Sequence, residues 1–191
     1  ISFIRFTMTK KIIFISNYAS FFVSHRLPIA IEAKKRGWDV YLFYGSSKNK
    51  NEIKSIKLLH ENKILTKKIY FSRSGINPFK EIIGFLQLII NVRKLKPDII
   101  HCISPKGILY GGIVARLLSI HSLVLAISGM GYLFTGKKNL FKFFIKIFFS
   151  QLLKYILAHN NMYMITQNQI DKKYFMDSYD IKDDNIELIK G

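Results

Sequence analysis

Short apolar runs alternate with longer amphipathic segments along almost the whole chain, and few folds accept that alternation. KIIFIS (11–16) is β-branched and uninterrupted, as a strand buried on both faces should be. Residues 24–36 read as a helix, with Ser24 as a possible cap and Gly37 as its stop. WDVYLFYG (38–45) is a second strand, 46–63 a polar helix, and 64–72 a lysine-interrupted strand expected near an edge. The pattern then repeats. A strongly apolar helix (77–96) leads to a strand (96–104), and a helix (105–119) leads to a strand (121–128). A glycine loop (129–139) precedes a long helix (140–157), a strand (160–167), a helix (168–176) and a last strand (185–191). Strand and helix joined by short connections predict an α/β fold, a Rossmann-like open parallel sheet with helices on both faces. Ligands of such sheets bind beyond the strand C-termini, which directs attention to loops 17–25, 45–48, 72–76, 103–107, 128–139 and 166–168.

Composition narrows the chemistry. At 191 residues and 49% hydrophobic, the chain is long and apolar enough for a real core, so disorder is excluded. A single cysteine, Cys102, excludes an internal disulfide and a CxxC metal site, and fits a cytosolic chain, or at least one that does not need an oxidising compartment. Thirty Lys and Arg against 12 Asp and Glu give +18, which favours an anionic partner. RRM, KH, helix-turn-helix and zinc signatures are missing, so no nucleic-acid partner is expected. The first loop carries neither GxGxxG nor a Walker A pattern, and HExxH and GxSxG do not occur. Dehydrogenase, P-loop, zincin and α/β-hydrolase chemistries are therefore disfavoured.

Several residues fall where an open sheet binds ligands. Asn17, Tyr18, His25 and Arg26 lie between the first strand and its helix, where Arg26 and free helix amides would suit an anion. His25 could equally be a solvated surface histidine, with Phe21 and Phe22 serving as a hydrophobic staple. His101 and Ser104 end the fourth strand, followed by Lys106 in the PKG turn. His101 is a candidate catalytic group and also a plausible satisfied core residue. Gly111 and Gly112 in the next helix imply close packing or a ligand, since each costs about 1 kcal/mol against alanine. Gly129, Gly131 and Tyr132 lie in the glycine loop, where exposed amides and an aromatic ring could meet a sugar. Residues 137–157 combine spaced lysines (Lys142, Lys146, Lys154) with large apolar side chains, and residues 99–170 contain no Asp or Glu. That stretch reads either as a helix buried on the sheet with its lysines outward, or as a surface resting on anionic lipid. A membrane span is not expected, because no uncharged apolar run is long enough.

Taken in order, KIIFISNYASFFVSHRLPIAIEAKKRGWDVYLF, KPDIIHCISPKGILYGGIVAR, LVLAISGMGYLFTG and MYMITQNQIDKKYF resemble the N-terminal half of glycosyltransferase family 4 enzymes of the GT-B fold. The resemblance covers about residues 10–191 and points to the bacterial branch that builds O-antigen or capsule units. It implies one acceptor-binding lobe, residues 8–191, whose donor-binding partner lobe with its Glu-x7-Glu motif lies outside this sequence. Alone, such a lobe is expected to be inactive. The resemblance further implies hexosyl-type retaining transfer from a nucleotide-sugar donor substrate, without a metal or other cofactor. The acceptor would be an undecaprenyl-diphosphate-linked saccharide at the inner face of the cytoplasmic membrane. The acceptor side would comprise Asn17, Tyr18, His25, Arg26, Ser104, Lys106, Gly129, Gly131 and Tyr132, with His25 and His101 as candidate catalytic groups. Family members often carry a histidine in the loop matching Ser128–Tyr132, and this sequence has none there. Two other readings stay open: a basic module that docks on membrane or a partner, and one subunit of a split transferase that pairs with a donor-binding chain.

Overall fold

A computed structural model describes residues 9–45, 51–70, 78–127 and 140–189, the side chains of 78, 140–146 and 148 excepted. Its elements are β1 (Lys11–Ser16), α1 (Ala19–Lys35), β2 (Asp39–Tyr44), α2 (Asn51–Glu61), β3 (Leu65–Lys68), α3 (Pro78–Leu95) and β4 (Ile99–Cys102). There follow α4 (Pro105–Leu117), β5 (Ser122–Ile127), α5 (Leu140–Leu157), β6 (Met162–Thr166), α6 (Gln169–Tyr179), a 3-10 turn at Asp183–Asn185 and β7 (Ile186–Leu188). The strands pair in parallel in the order β3-β2-β1-β4-β5-β6-β7. The chain starts in the middle, winds outward through β2 to β3, then returns to β4 and winds the other way. This places the topological switch point between β1 and β4, where Phe14 lies opposite His101 and Ile15 opposite Cys102.

Period-2 alternation sorts the two cores. Ile13, Ile15, Ile100, Cys102, Leu123 and Leu125 face the layer that contains α3 to α6. Ile12, Phe14, Val40 and Leu42 face α1 and α2, meeting Phe22, Ala30 and Leu59. Right-handed crossovers require this division, since the first two connections run one way and the later ones the other. The lysine-interrupted strand is the sheet edge, as expected, and is shorter than read, because only Leu65–Lys68 pair with β2.

α1 begins earlier than its sequence suggests. Residues 19–25, read as loop, form its first turns, and Ser24 is not its cap. The cap comes from a distance. The carboxylate of Glu52, in the first turn of α2, accepts from the amides of Ala19 at 2.6 Å and Ser20 at 3.1 Å. Phe22 then turns inward onto Phe14, their ring centres 5.1 Å apart. Pro28 sits inside the helix, and both it and Ser24 are exposed, so the missing backbone bond falls on the solvent side.

α4 is the central helix, and its glycines are explained by packing. A methyl group on Gly111 would lie 2.5 Å from Cys102 Sγ, and one on Gly112 2.4 Å from Ile156 Cγ2. On Gly107 it would meet the Ile15 carbonyl oxygen at 2.7 Å. Small residues at these three places let α4 lie against β1, β4 and α5 at once. Gly112→Ala should therefore destabilise the fold despite alanine's better helix propensity. The propensity gain is about 1 kcal/mol, and overpacking costs ~1–3 kcal/mol. A melting temperature lower by up to about 6 °C is expected. A variant that melts higher than the natural chain would refute the close contact with Ile156.

Candidate functional site

The strand order directs a ligand crevice to the C-terminal ends of β1 and β4, where Asn17 and Ser104 meet and would form its floor. The Ser104 hydroxyl donates to Asn17 Oδ1 at 2.9 Å. The same oxygen accepts from the Asn17 amide at 3.1 Å and from the Gly107 amide at 3.3 Å, which caps α4. Ser104 holds φ 149° and ψ 153°, a region that glycine alone occupies easily. Such a conformation costs on the order of 1–3 kcal/mol and persists only where neighbours over-determine it. Here three hydrogen bonds do so, and two strand ends meet at a fixed angle.

Both helix N-termini at the switch point are thus closed by the chain's own groups. The expectation of free α1 amides, ready for an anion, is corrected: Glu52 takes them. A carboxylate there also suits the positive end of the helix dipole. Arg26 does not open the helix either. It lies in its second turn and faces inward, 9% exposed. Its Nη1 donates to the neighbouring His25 carbonyl at 3.0 Å, while Nε has no hydrogen-bond partner among the described residues. No carboxylate pairs with Arg26 among the described residues, and burial pushes its pKa below the ordinary value.

His101 lies on the same side of the sheet, 4% exposed, its ring 5.0 Å from that of Phe14. Its Nε2 has no hydrogen-bond partner among the described residues. Burial, reinforced by the Arg26 charge, lowers its pKa from 6.5 to about 3. A neutral imidazole and a guanidinium are therefore buried close together, each with an unused nitrogen. Cys102 points to the opposite face beneath α4, and burial pushes its thiol pKa up, so it is an inert core residue.

The remaining sequence candidates separate. His25 is exposed on the flank of α1, stacked on Phe21 at 4.3 Å and bonded to Ser24 at 2.7 Å. Tyr18 extends that aromatic row, 5.8 Å from Phe21. Lys106 is ion-paired with Glu81 of α3 at 2.8 Å, and Glu81 also accepts from the Tyr110 hydroxyl at 2.7 Å. Gly129, Gly131 and Tyr132 lie outside the described residues. Two functional groups escaped the sequence reading. Glu52 carried no local signal, whereas Glu81 did, as the single acid of the largely apolar α3 segment. At the opposite end of the sheet a recess of about 710 Å³ is lined by Arg116, His121, Tyr155 and His159. Its walls are internally used: Arg116 bonds the Ala158 carbonyl and His159 bonds the Ile120 carbonyl.

The glycosyl transferase 4-like family pattern matches residues 11–168. The chain belongs to this family. The matched span runs from the start of β1 to the Asn168 cap of α6, so it contains the whole crevice floor. No curated protein sequence matches this glycosyl transferase 4-like chain significantly. Among solved structures it is similar to a glycosyltransferase from Rickettsia africae, at 15% identity and a TM-score of 0.61. That alignment covers 96% of this chain and 43% of the other. It is similar also to Acinetobacter baumannii MurG (14%, 0.57; 95% and 45% covered). The apo lipopolysaccharide outer core galactosyltransferase WaaB gives 14% and 0.59, again with 95% and 45% covered. At such identities the likeness establishes the fold, a Rossmann-like lobe of the GT-B type. The chain spans under half the length of each of these structures. No helix among the described residues is long and apolar enough to cross a membrane.

Proposed function

We propose that residues 8–191 form the acceptor-binding lobe of a retaining glycosyltransferase in surface-polysaccharide synthesis. A nucleotide sugar is the donor, and an undecaprenyl-diphosphate-linked saccharide at the inner face of the cytoplasmic membrane is the acceptor. One observation carries the assignment of sides. At the switch point, Glu52 closes the N-terminus of α1 and the Ser104 hydroxyl closes that of α4. A donor diphosphate is best held by open helix amides. A floor of hydroxyl and amide groups suits sugar hydroxyls instead. The diphosphate then belongs to a second lobe, of the kind that completes the structures to which this chain is similar.

In this mechanism Asn17 and Ser104 orient an acceptor hydroxyl over the crevice floor. Lys106 and Tyr18 contribute from the described part of the chain, and Gly129, Gly131 and Tyr132, which follow β5 in the sequence, are assigned to the same acceptor side. His101 and His25 are the candidate proton carriers. The low pKa of His101 makes it neutral at physiological pH, so it suits accepting a hydrogen bond better than taking a proton. Buried Arg26 supplies positive charge close to where negative charge grows as the donor diphosphate departs. The 137–157 sequence, with Lys142, Lys146 and Lys154 among large apolar residues, is assigned to contact with the anionic lipid that carries the acceptor.

Kinetics of the full-length enzyme test these roles. Replacing Arg26 with Gln should lower kcat/KM for acceptor by about 10–100-fold, the loss expected for one charged hydrogen bond. The donor KM should stay within about twofold, because the donor is held elsewhere. An unchanged acceptor kcat/KM would eliminate Arg26 from the mechanism. A raised donor KM with unchanged acceptor KM would place this lobe on the donor side.

A further inference from the structure

We infer that the recess beneath the N-terminal ends of β5 and β6 binds a small phosphomonoester, with Arg116 and His121 holding its phosphoryl group. Arg116, Ser119, His121, Tyr155, Asn160 and Asn161 line this space of about 710 Å³. A second hollow of about 590 Å³, bounded by Arg93, Lys96 and Pro97, opens onto the same Ser119–His121 turn. Arg93, Lys96, Arg116 and the histidines His121 and His159 thus converge there, and neither lining contains an Asp or Glu. No carboxylate pairs with Arg93, Lys96 or Arg116 among the described residues. Positive charge gathered in a concave space without counter-charge attracts an anion.

Helix polarity accounts for only part of this charge. Cations suit helix C-termini, and Arg93 and Arg116 stand in the last turns of α3 and α4. Arg116 spends one Nη1–H on the Ala158 carbonyl just after α5, which leaves the rest of its fork for a ligand. The guanidinium carbon lies 4.7 Å from the centre of the Tyr155 ring, a contact that orients it. His159 closes the wall behind. Its Nε2 donates to the Ile120 carbonyl at 2.9 Å, and its Nδ1 accepts from the Asn161 amide at 3.2 Å. Burial lowers the pKa of His159, and the charges of Arg116 and His121 lower it further, so the three groups share one electrostatic neighbourhood. His121 is exposed and points no charge at a helix carbonyl that His159 or Arg116 has not already served.

Size and lining select the ligand. A bare phosphate ion would fill a small part of a space that suits a molecule with a body. The Ser119 hydroxyl, the Asn160 amide and the Tyr155 ring are exposed, and they match the hydroxyls and ring of a sugar or nucleoside. The recess lies at the far end of α4 from the Ser104 cap, so an occupant leaves the crevice open. The inference therefore stands apart from the proposed transfer reaction, and its test uses no acceptor.

The test is nuclear magnetic resonance of the histidine rings in the purified full-length protein. The probes are the anomeric phosphate of glucose, uridine monophosphate and inorganic phosphate. Signals of His121 and His159 should shift with one of the two esters, while those of His60, exposed on α2, should not. The tighter ester identifies the body as sugar or nucleoside. Its binding should raise the titration midpoint of His159, because a nearby anion favours the imidazolium. Inorganic phosphate should bind about tenfold or more weakly. Arg116→Gln keeps an amide donor for the Ala158 carbonyl and should weaken ester binding by about 10–100-fold. His121→Ala, at an exposed position, should weaken it severalfold without changing the melting temperature. Lys35→Gln, exposed in the last turn of α1 on the other side of the sheet, should bind as the natural protein does. Three results would overturn the inference. One is the absence of any shift at His121 and His159 with either ester. Another is undiminished binding in both the Arg116 and the His121 variants. The third is inorganic phosphate that binds as tightly as the esters, which would reduce the recess to a patch of cations open to any anion.

Discussion

Acidification below pH 6.5 is expected to weaken this fold by about 1.4 kcal/mol per pH unit, because of His101. In the unfolded chain the imidazole titrates near 6.5; in the folded chain it does so near 3. Above 6.5 both states carry it neutral, and its full contribution is present. Between 6.5 and 3 the unfolded state binds a proton that the folded state refuses, so stability falls as pH falls. From pH 6.5 to 4 the loss comes to ~3 kcal/mol, a large share of a typical domain's stability. The causes are burial, then the charge of Arg26. His159 adds to the slope, since burial lowers its pKa too. Urea midpoints from pH 7 to 4 measure the effect. His101→Phe keeps an aromatic ring against Phe14 and cannot titrate, so its midpoint should be much flatter over that range. Equal slopes for the variant and the natural chain would show that His101 is protonated, or hydrated, in the folded state.

The histidine also shows where the sequence was readable. That a group at position 101 would be buried follows from its place in a parallel strand with helices on both sides. Its proximity to Arg26 does not, because a whole βαβα stretch separates them and only the crossover at the switch point brings them together. The strands were legible for a simple reason: KIIFIS and SLVLAI are buried on both faces, so their apolarity is continuous. The paired glycines of α4 were legible as a demand for close approach, and the structure names the neighbours, Cys102 and Ile156. The start of α1 was not legible. Local rules look for a cap within a few residues, and Ser24 satisfied them. The actual cap is Glu52, 33 residues downstream. Phe21 and Phe22 looked like loop aromatics for the same reason, although Phe22 is a core residue and Phe21 stacks on His25. The switch point between β1 and β4 was thus readable from the element order, while the electrostatics around it, a capped α1 terminus and an ion-paired Lys106, depend on Glu52 and Glu81 and so on tertiary contacts.

Removing the Glu52 carboxylate should be among the most damaging single changes in the lobe. Its oxygens accept from two amides, at 2.6 and 3.1 Å, and the side chain is buried. In Glu52→Ala both amides lose a charged acceptor, and the positive end of α1 loses its counter-charge. Each orphaned donor costs ~1–3 kcal/mol, so about 3–4 kcal/mol in all is reasonable. For a chain of this size that lowers the melting temperature by roughly 6–16 °C. Glu52→Gln retains one amide acceptor in the same place and should lose about half as much. The order natural, Gln, Ala in thermal melts would establish capping as the role. The two variants also separate stability from function. If the closed α1 terminus keeps phosphate out of this lobe, Glu52→Ala should gain weak affinity for inorganic phosphate, seen as a melting temperature that rises with phosphate more than in the natural protein. Gln, whose amide oxygen still occupies the site, should gain less. A natural protein already stabilised by phosphate as strongly as the Ala variant would mean that the lobe holds its anion elsewhere, and the assignment of the acceptor side would lose its main support.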